Sequence, residues 1–283
     1  MSAPRDPDLH EPSELRRVAE QVAAEAAAHL RSLPRPWDAD AGAGVATKST
    51  PTDVVTASDH AVETLVRERL AALRPGDAVV GEEHGGEAPG GGVVWVVDPI
   101  DGTVNFLYGL PWYAVSVAAT RDGRSLAGAV VEPVTGRRWT AALGCGATCD
   151  GVPLRPSVVT DPALSLLGTG FSYRPERRVR QVGLVAALLP KVRDVRRTGS
   201  AALDMCAVAA GWTDAYLEHG CNWWDWAAAA LVAAEAGAVV RTPGPPGAIP
   251  PADGLGADAV FVSAPGVADA LRALAVGSGA QDV

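Results

Sequence analysis

The chain has 283 residues, 48% of them hydrophobic and 20% charged, enough for one large domain or two ordinary ones around a substantial core. Its net charge of -9 and pI of about 5.0 argue against a nucleic-acid groove as the main working surface, though not against an anionic substrate held through metal ions. No stretch approaches the ~20 apolar residues of a membrane span; the N-terminus has no signal-peptide core, and Cys145, Cys149, Cys206 and Cys221 form no C-x-x-C pair, so the expectation is a cytoplasmic protein with reduced thiols.

Residues 1–12 carry Pro4, Pro7 and Pro12 and little apolar material, which predicts a disordered tail. Ser13 is placed to cap a helix over 14–33, where Leu15, Val18, Ala19, Val22, Ala26 and Leu30 recur at helical spacing and Pro34 and Pro36 end the pattern. Residues 37–46 read as loop or irregular strand, and Pro51 with Asp53 as a turn. Ser58 or Asp59 can cap a helix over 60–73. A short strand, 78–80, then delivers Gly81-Glu82-Glu83-His84. The Gly-rich stretch 85–92 reads as a mobile hairpin or loop.

The next stretch organises the chain. Residues 93–97 are a continuous apolar run with β-branched bias, the pattern of a buried strand. They lead into Asp98-Pro99-Ile100-Asp101-Gly102-Thr103. Proline cannot donate to a ladder, so the strand is predicted to stop at Pro99. Gly102 and Thr103 then supply free N–H groups where a turn or short helix begins. Carboxylates beside free N–H groups make sense once a divalent cation is added: the acids hold the metal, and metal and N–H groups together hold a phosphate. Taken alone, D-x-x-D-G is more often a capped turn. Further acids at Gly81-Glu82-Glu83 and Trp224-Asp225 shift the balance towards a metal site.

Strands are predicted over 114–120, 127–131 and 137–142, a hairpin-linked antiparallel run. The aperiodic, proline-bearing stretch after Pro153 places a boundary near residue 155. The second half alternates a strand over 165–170, helices over 176–189 and 201–210, a strand over 214–218 and a helix over 222–236 closed by Gly237. A strand from Val239, a Pro/Gly-rich loop over 243–258, a strand over 260–263 and a helix over 267–274 complete it. The reading is an α+β metal-binding half, 13–155, and an α/β half, 156–283, forming one compact catalytic unit without internal repeats.

With these stretches placed, the chain resembles the inositol monophosphatase family of metal-dependent phosphatases. Gly81-Glu82-Glu83, Asp98-Pro99-Ile100-Asp101-Gly102-Thr103, and Trp224-Asp225 with Ala227 and Ala229 carry the resemblance, with Glu235-Ala236-Gly237 closing that helix. Lys48-Ser49-x-Pro51-x-Asp53-x-Val55-Thr56-x-x-Asp59 also fits. The resemblance implies an α/β fold, the layered α-β-α-β-α sandwich of the inositol monophosphatase and fructose-bisphosphatase type, in a homodimer. It implies Mg²⁺ held by Glu82, Asp98 and the Ile100 carbonyl, a second held by Asp98, Asp101 and Asp225, and a looser third near Glu82. Thr103, backed by Asp59, would orient the attacking water, with Glu82 beside it in the catalytic set. Gly102 and Thr103 would hold phosphate through their N–H groups; Asp101, Ser200, Ala201, Glu218 and Asp225 would line the rest of the substrate.

The implied activity is hydrolysis of myo-inositol monophosphate, with lithium sensitivity and no nucleic-acid or membrane partner. Histidinol phosphate, a sugar phosphate or a nucleotide phosphate are the alternative esters. A non-catalytic partner of the transcription or ribosome machinery is the alternative of another class. Lys48 reads equally as a solvated lysine or a charge near the metals, Glu83 as structural and His84 as an ordinary surface residue. Asp150 replaces the asparagine of the family's G-x-G-A-x-x-N-G turn, a harmless turn substitution.

Overall fold

A computed structural model describes residues 10–34, 45–47 and 54–283. The expected tail over 1–9, most of the 37–46 segment, and Lys48 through Asp53 lie outside the described residues.

Helix α1 (His10–Ser32) begins earlier than the sequence suggested, and residues 10–12 belong to it rather than to a tail. Pro12 is tolerated because it sits in the first turn, where an N–H has no intrahelical acceptor. Strands β1 (Val45–Thr47) and β2 (Val54–Thr56) pair antiparallel. Helix α2 (Ala57–Leu73) is capped by Thr56, not by Ser58 or Asp59; Asp59 supplies the return bond of a capping box.

The first large sheet has seven strands in chain order: β3 (Ala78–Gly81), β4 (Val94–Asp101), β5 (Ala114–Arg121), β6 (Arg124–Val131), β7 (Arg138–Ala142), β8 (Ala147–Cys149) and β9 (Val152–Pro153). Within this sheet only β3 and β4, among the described residues, pair parallel. β4 does not stop at Pro99. Asp98 pairs with Ser116 and Asp101 with Ala114, so one extra residue is taken up between them. Within such a bulge a missing N–H costs no ladder bond, so proline is accommodated. The helix α3 (Thr103–Leu107) follows at once.

The second sheet holds β10 (Leu166–Thr169), β11 (Asp194–Arg196), β12 (Ala215–His219), β13 (Val239–Arg241) and β14 (Ala259–Ser263), in the order β11-β10-β12-β14-β13. Its helices are α4 (Pro175–Leu188), α5 (Ala201–Ala209), α6 (Trp223–Ala236) and α7 (Ala268–Gly277).

Burial on both faces of β4 sets the layers. Trp95 and Val97 pack with Leu15, Val22 and Val62 of α1 and α2. Val94 and Val96 pack on the other side with α5 and α6, and that cluster continues into Tyr216, Val260 and Val262 of the second sheet. Leu184 of α4 and Leu271 of α7 cover that sheet's outer face with Leu167 and Leu217. The result is the expected α-β-α-β-α sandwich, with α5 and α6 as the shared middle layer. All four cysteines are free. No helix among the described residues is long and apolar enough to cross a membrane.

Candidate active site

The bulged end of β4, the turn after β3, the α5 N-terminus and the α6 N-terminus converge on one cleft of about 280 Å³. Carboxylate oxygens of Asp98, Asp101 and Asp225 lie within 4.8 Å of one another. Glu82 and Ile100 line the same cleft. Asp98 is 1% exposed and its Oδ1 accepts the Ile100 N–H at 3.0 Å, a bond that shapes the bulge. Asp225 sits in the first turn of α6, where its Oδ2 accepts the Asn222 N–H at 2.6 Å.

The electrostatics are those of an unbalanced acid cluster. Burial pushes the Asp98 carboxyl well above its usual range, and Glu82, Asp101 and Asp225 push it further. Burial acts first on Asp225 too, followed by Glu82 and Asp101. Asp101 rises only to about 6, because hydrogen bonds from Ser200, Ala202 and Ala201 and the charge of Arg197 oppose its burial. Several carboxylates in one dry volume cannot all ionise without added positive charge. Hard oxygen donors at this spacing fit Mg²⁺ rather than a thiolate-seeking metal, so the residues present suit the cofactor the sequence implied.

Ser200 and Ala201, expected against the substrate, do line the cleft, but their polar groups hold Asp101. Ser200 Oγ donates to Asp101 Oδ2 at 2.5 Å, the Ala202 N–H to the same oxygen at 2.7 Å, and the Ala201 N–H to Oδ1 at 3.3 Å. Ser200 Oγ also caps α5 by accepting the Leu203 N–H at 3.2 Å. Asn105 Nδ2 donates to the carbonyls of Trp112 and Thr198, at 2.7 and 2.8 Å, tying α3 to the turn that carries this clamp. Gly102 enters α3 at φ +99, and a Cβ there would press on the Trp112 and Gly199 carbonyls at 3.1 and 3.3 Å, so glycine is required. The first N–H groups of α3 have no intrahelical acceptor.

Thr103 and Asp59 come together as expected. Thr103 Oγ1 lies 3.2 Å from Asp59 Oδ1 and 3.0 Å from the Ile100 carbonyl, two acceptors for one proton. Asp59 is fully buried, and its other oxygen accepts from the Thr56 N–H and hydroxyl at 2.8 and 2.6 Å. One carboxylate thus completes the capping box of α2 and faces Thr103.

Two groups escaped the sequence reading. Glu63 of α2 is 0% exposed and accepts the N–H groups of Glu83 and His84 at 2.7 and 3.2 Å and Arg67 Nε at 2.8 Å. Arg67 also reaches the Val79 and Gly85 carbonyls, so the pair grips the turn that presents Glu82. A Cβ on Gly81 would overlap the Glu63 carboxylate, which explains the glycine. The only sequence signal was an acid and an arginine at i,i+4 beside the apolar stripe of α2, a pattern normally read as solvated. Exposed His84 turns out to contact the same acid, with Nδ1 3.2 Å from Glu63 Oε1. Asp204 of α5, nearly buried in the cleft wall, accepts a hydrogen bond from Thr198 Oγ1, and burial raises it to about 8. Glu218 lines the cleft from the end of β12 and accepts the Tyr216 hydroxyl.

Comparison with known proteins gives the chain's family. The chain matches the sequence model of the inositol monophosphatase family over residues 11–276. It is 54% identical over 281 residues to the inositol-1-monophosphatase of Mycobacterium leprae (strain TN), an alignment covering 93% of this chain and 94% of that one. It is 49% identical over 280 residues to the inositol-1-monophosphatase SuhB of Mycobacterium tuberculosis, at 93% and 94% coverage. The solved structure of Mycobacterium tuberculosis SuhB superposes with a TM-score of 0.77 at 43% identity, covering 96% of this chain and 99% of that one. With its motifs in place and nearly its whole length matched, the chain belongs to the inositol monophosphatase family.

Proposed function

We propose that this chain is a Mg²⁺-dependent phosphomonoesterase that hydrolyses a myo-inositol monophosphate to inositol and phosphate, as a cytoplasmic homodimer. The observation that carries the reading is the buried cluster of Asp98, Asp101 and Asp225 with Glu82 in the same cleft. Relatives that bear the name inositol-1-monophosphatase support the choice of alcohol.

Glu82, Asp98, the Ile100 carbonyl, Asp101 and Asp225 would hold two or three Mg²⁺. Bound there, these cations would supply Lewis acidity to the phosphoryl oxygens and lower the pKa of the attacking water. With the Ile100 carbonyl turned to a metal, Asp59 would take the Thr103 hydroxyl hydrogen, which leaves the threonine oxygen free to accept a hydrogen bond from that water and aim it at phosphorus. The Gly102 and Thr103 N–H groups hold a phosphate oxygen. Ser200, Ala201 and Ala202 keep Asp101 in place, and Glu218 accepts hydrogen bonds from inositol hydroxyls. Water oxygen bonds to phosphorus as the ester P–O bond breaks, so no covalent phosphoenzyme is needed. An intact acid set with Thr103 and Asp59 in register favours catalysis over a purely structural partner role, which needs none of it.

Phosphate release from a panel of phosphomonoesters tests the reading. Myo-inositol 1-phosphate is expected to give the highest kcat/KM with Mg²⁺, and EDTA to abolish turnover. A kcat/KM favouring histidinol phosphate overturns the choice of alcohol. Failure to release phosphate from any ester overturns the phosphatase reading.

A further inference from the structure

The β10–β12 wall of the cleft is built on two glycines. The strands run parallel with Gly168 beside Tyr216 and Thr169 beside Leu217, which puts Gly170 beside Glu218 at the strand ends. Residues two apart on a strand share a face. Tyr216 and Glu218 therefore stand on one face of β12, alongside Gly168 and Gly170. A Cβ on Gly168 would lie 3.3 Å from Tyr216 Cδ2, and a Cβ on Gly170 would overlap the Glu218 carboxylate. The tyrosine ring thus occupies the space over one glycine and the carboxylate the space over the other. Neither glycine has a positive φ, so space, not backbone freedom, accounts for them. The Tyr216 side chain is fully buried and its hydroxyl donates to Glu218 Oε2, which leaves Oε1 as an acceptor. Burial pushes the Glu218 carboxyl upward, and that hydrogen bond opposes the push.

We propose that Gly170 and Tyr216 are specificity-determining residues: the space over Gly170 and the Tyr216 hydroxyl place the Glu218 carboxylate where it accepts hydrogen bonds from the hydroxyls of a polyol phosphate. The inference rests on the reading of Glu218 as the alcohol contact. A site built to pair with a substrate hydroxyl discriminates against esters that lack one, provided the acceptor is held in place. Tyr216 holds it from behind the cleft wall and Gly170 by the space it leaves for the carboxylate, so both act as positioning residues, and their loss weakens polyol binding more than aryl ester hydrolysis.

The test compares myo-inositol 1-phosphate with p-nitrophenyl phosphate, which has no hydroxyl to offer, on the full chain with Mg²⁺. In Gly170→Ala the ratio of the two kcat/KM values is expected to shift against the inositol ester by about 10–100-fold, the scale of a lost hydrogen bond to a charged group. The shift is carried by KM. Tyr216→Phe moves the ratio the same way by a smaller factor, and serves alone where Gly170→Ala fails to fold, because it adds no volume. Gly170→Ala combined with Glu218→Gln is no worse than Glu218→Gln, since both act through one carboxylate. Equal losses on both esters overturn the inference. So does an unchanged ratio in both positioning variants while Glu218→Gln shifts it, and in that case the alcohol contact stands. An unchanged ratio in Glu218→Gln removes the alcohol contact itself, and the inference with it.

Discussion

Glu63→Ala tests whether the turn presenting Glu82 is held from behind. Glu63 is wholly buried and accepts two backbone N–H groups and Arg67 Nε. Truncation leaves all three donors without that acceptor. A hydrogen bond to a charged group contributes about 1.5–3 kcal/mol, and removing one member of a buried ion pair costs about 3–5 kcal/mol. The Arg67 side chain is 28% exposed, so water replaces part of its share, and bonds to one carboxylate do not add. A net loss of about 3 kcal/mol follows, which at roughly 2–4 °C per kcal/mol for a chain of this size lowers Tm by about 6–12 °C. The loosened turn also weakens metal binding through Glu82, by about 10–100-fold, the usual cost of losing a group that orients a ligand. Calorimetric melting in EDTA measures the first effect and Mg²⁺ titration of the folded protein well below Tm the second. A parental Mg²⁺ affinity in a destabilised Glu63→Ala would confine Glu63 to stability, and a parental Tm would refute the burial argument altogether.

Asp98→Asn is expected to abolish Mg²⁺-dependent turnover, yet to melt no lower than the parent in EDTA, because it relieves repulsion within a buried acid cluster; full activity in this variant would remove Asp98 from the metal set. Thr103→Ala should lower kcat by about 10²–10⁴-fold with little change in KM, Thr103→Ser should keep much of the rate, and Asp59→Asn should match Thr103→Ala in kcat while also melting earlier, since Asp59 supplies the return bond of the α2 capping box. Near-normal kcat in Thr103→Ala would leave Thr103 as a helix residue only. Asp204→Asn addresses pH. With a folded value of about 8 against an unfolded value near ~3.9, the folded chain keeps a proton that the unfolded chain releases, so stability falls as pH rises through that window. The metal-free Asp204→Asn variant should therefore lose less Tm than the parent between about pH 4 and 8, and superimposable Tm–pH curves would contradict the burial of a titrating Asp204.

The sequence alone marked the candidate acids of the site. Asp98, Asp101, Glu82 and Asp225 lie in three short segments whose local composition is unusual, each where an apolar run gives way to another element, and that change is legible even where its exact boundary is not. Pattern alone gave a mixed first half and an α/β second half; the layered sandwich followed from the family resemblance of the motifs. Pattern misplaced the end of β4, because a bulge that accommodates Pro99 depends on the partner strand β5 and leaves no local mark. Only tertiary structure decided what holds the acids. The donors to Asp101 lie 99 to 101 residues along the chain, and those that Glu63 serves lie 20 and 21 residues away. Glu63 looked like a solvated helix acid because its type and spacing are those of a surface residue, and only the packing of α2 against the β3 turn puts it in the dark. Sequence pattern encodes which face of an element is apolar. Which polar groups meet across the interior depends on how the layers stack.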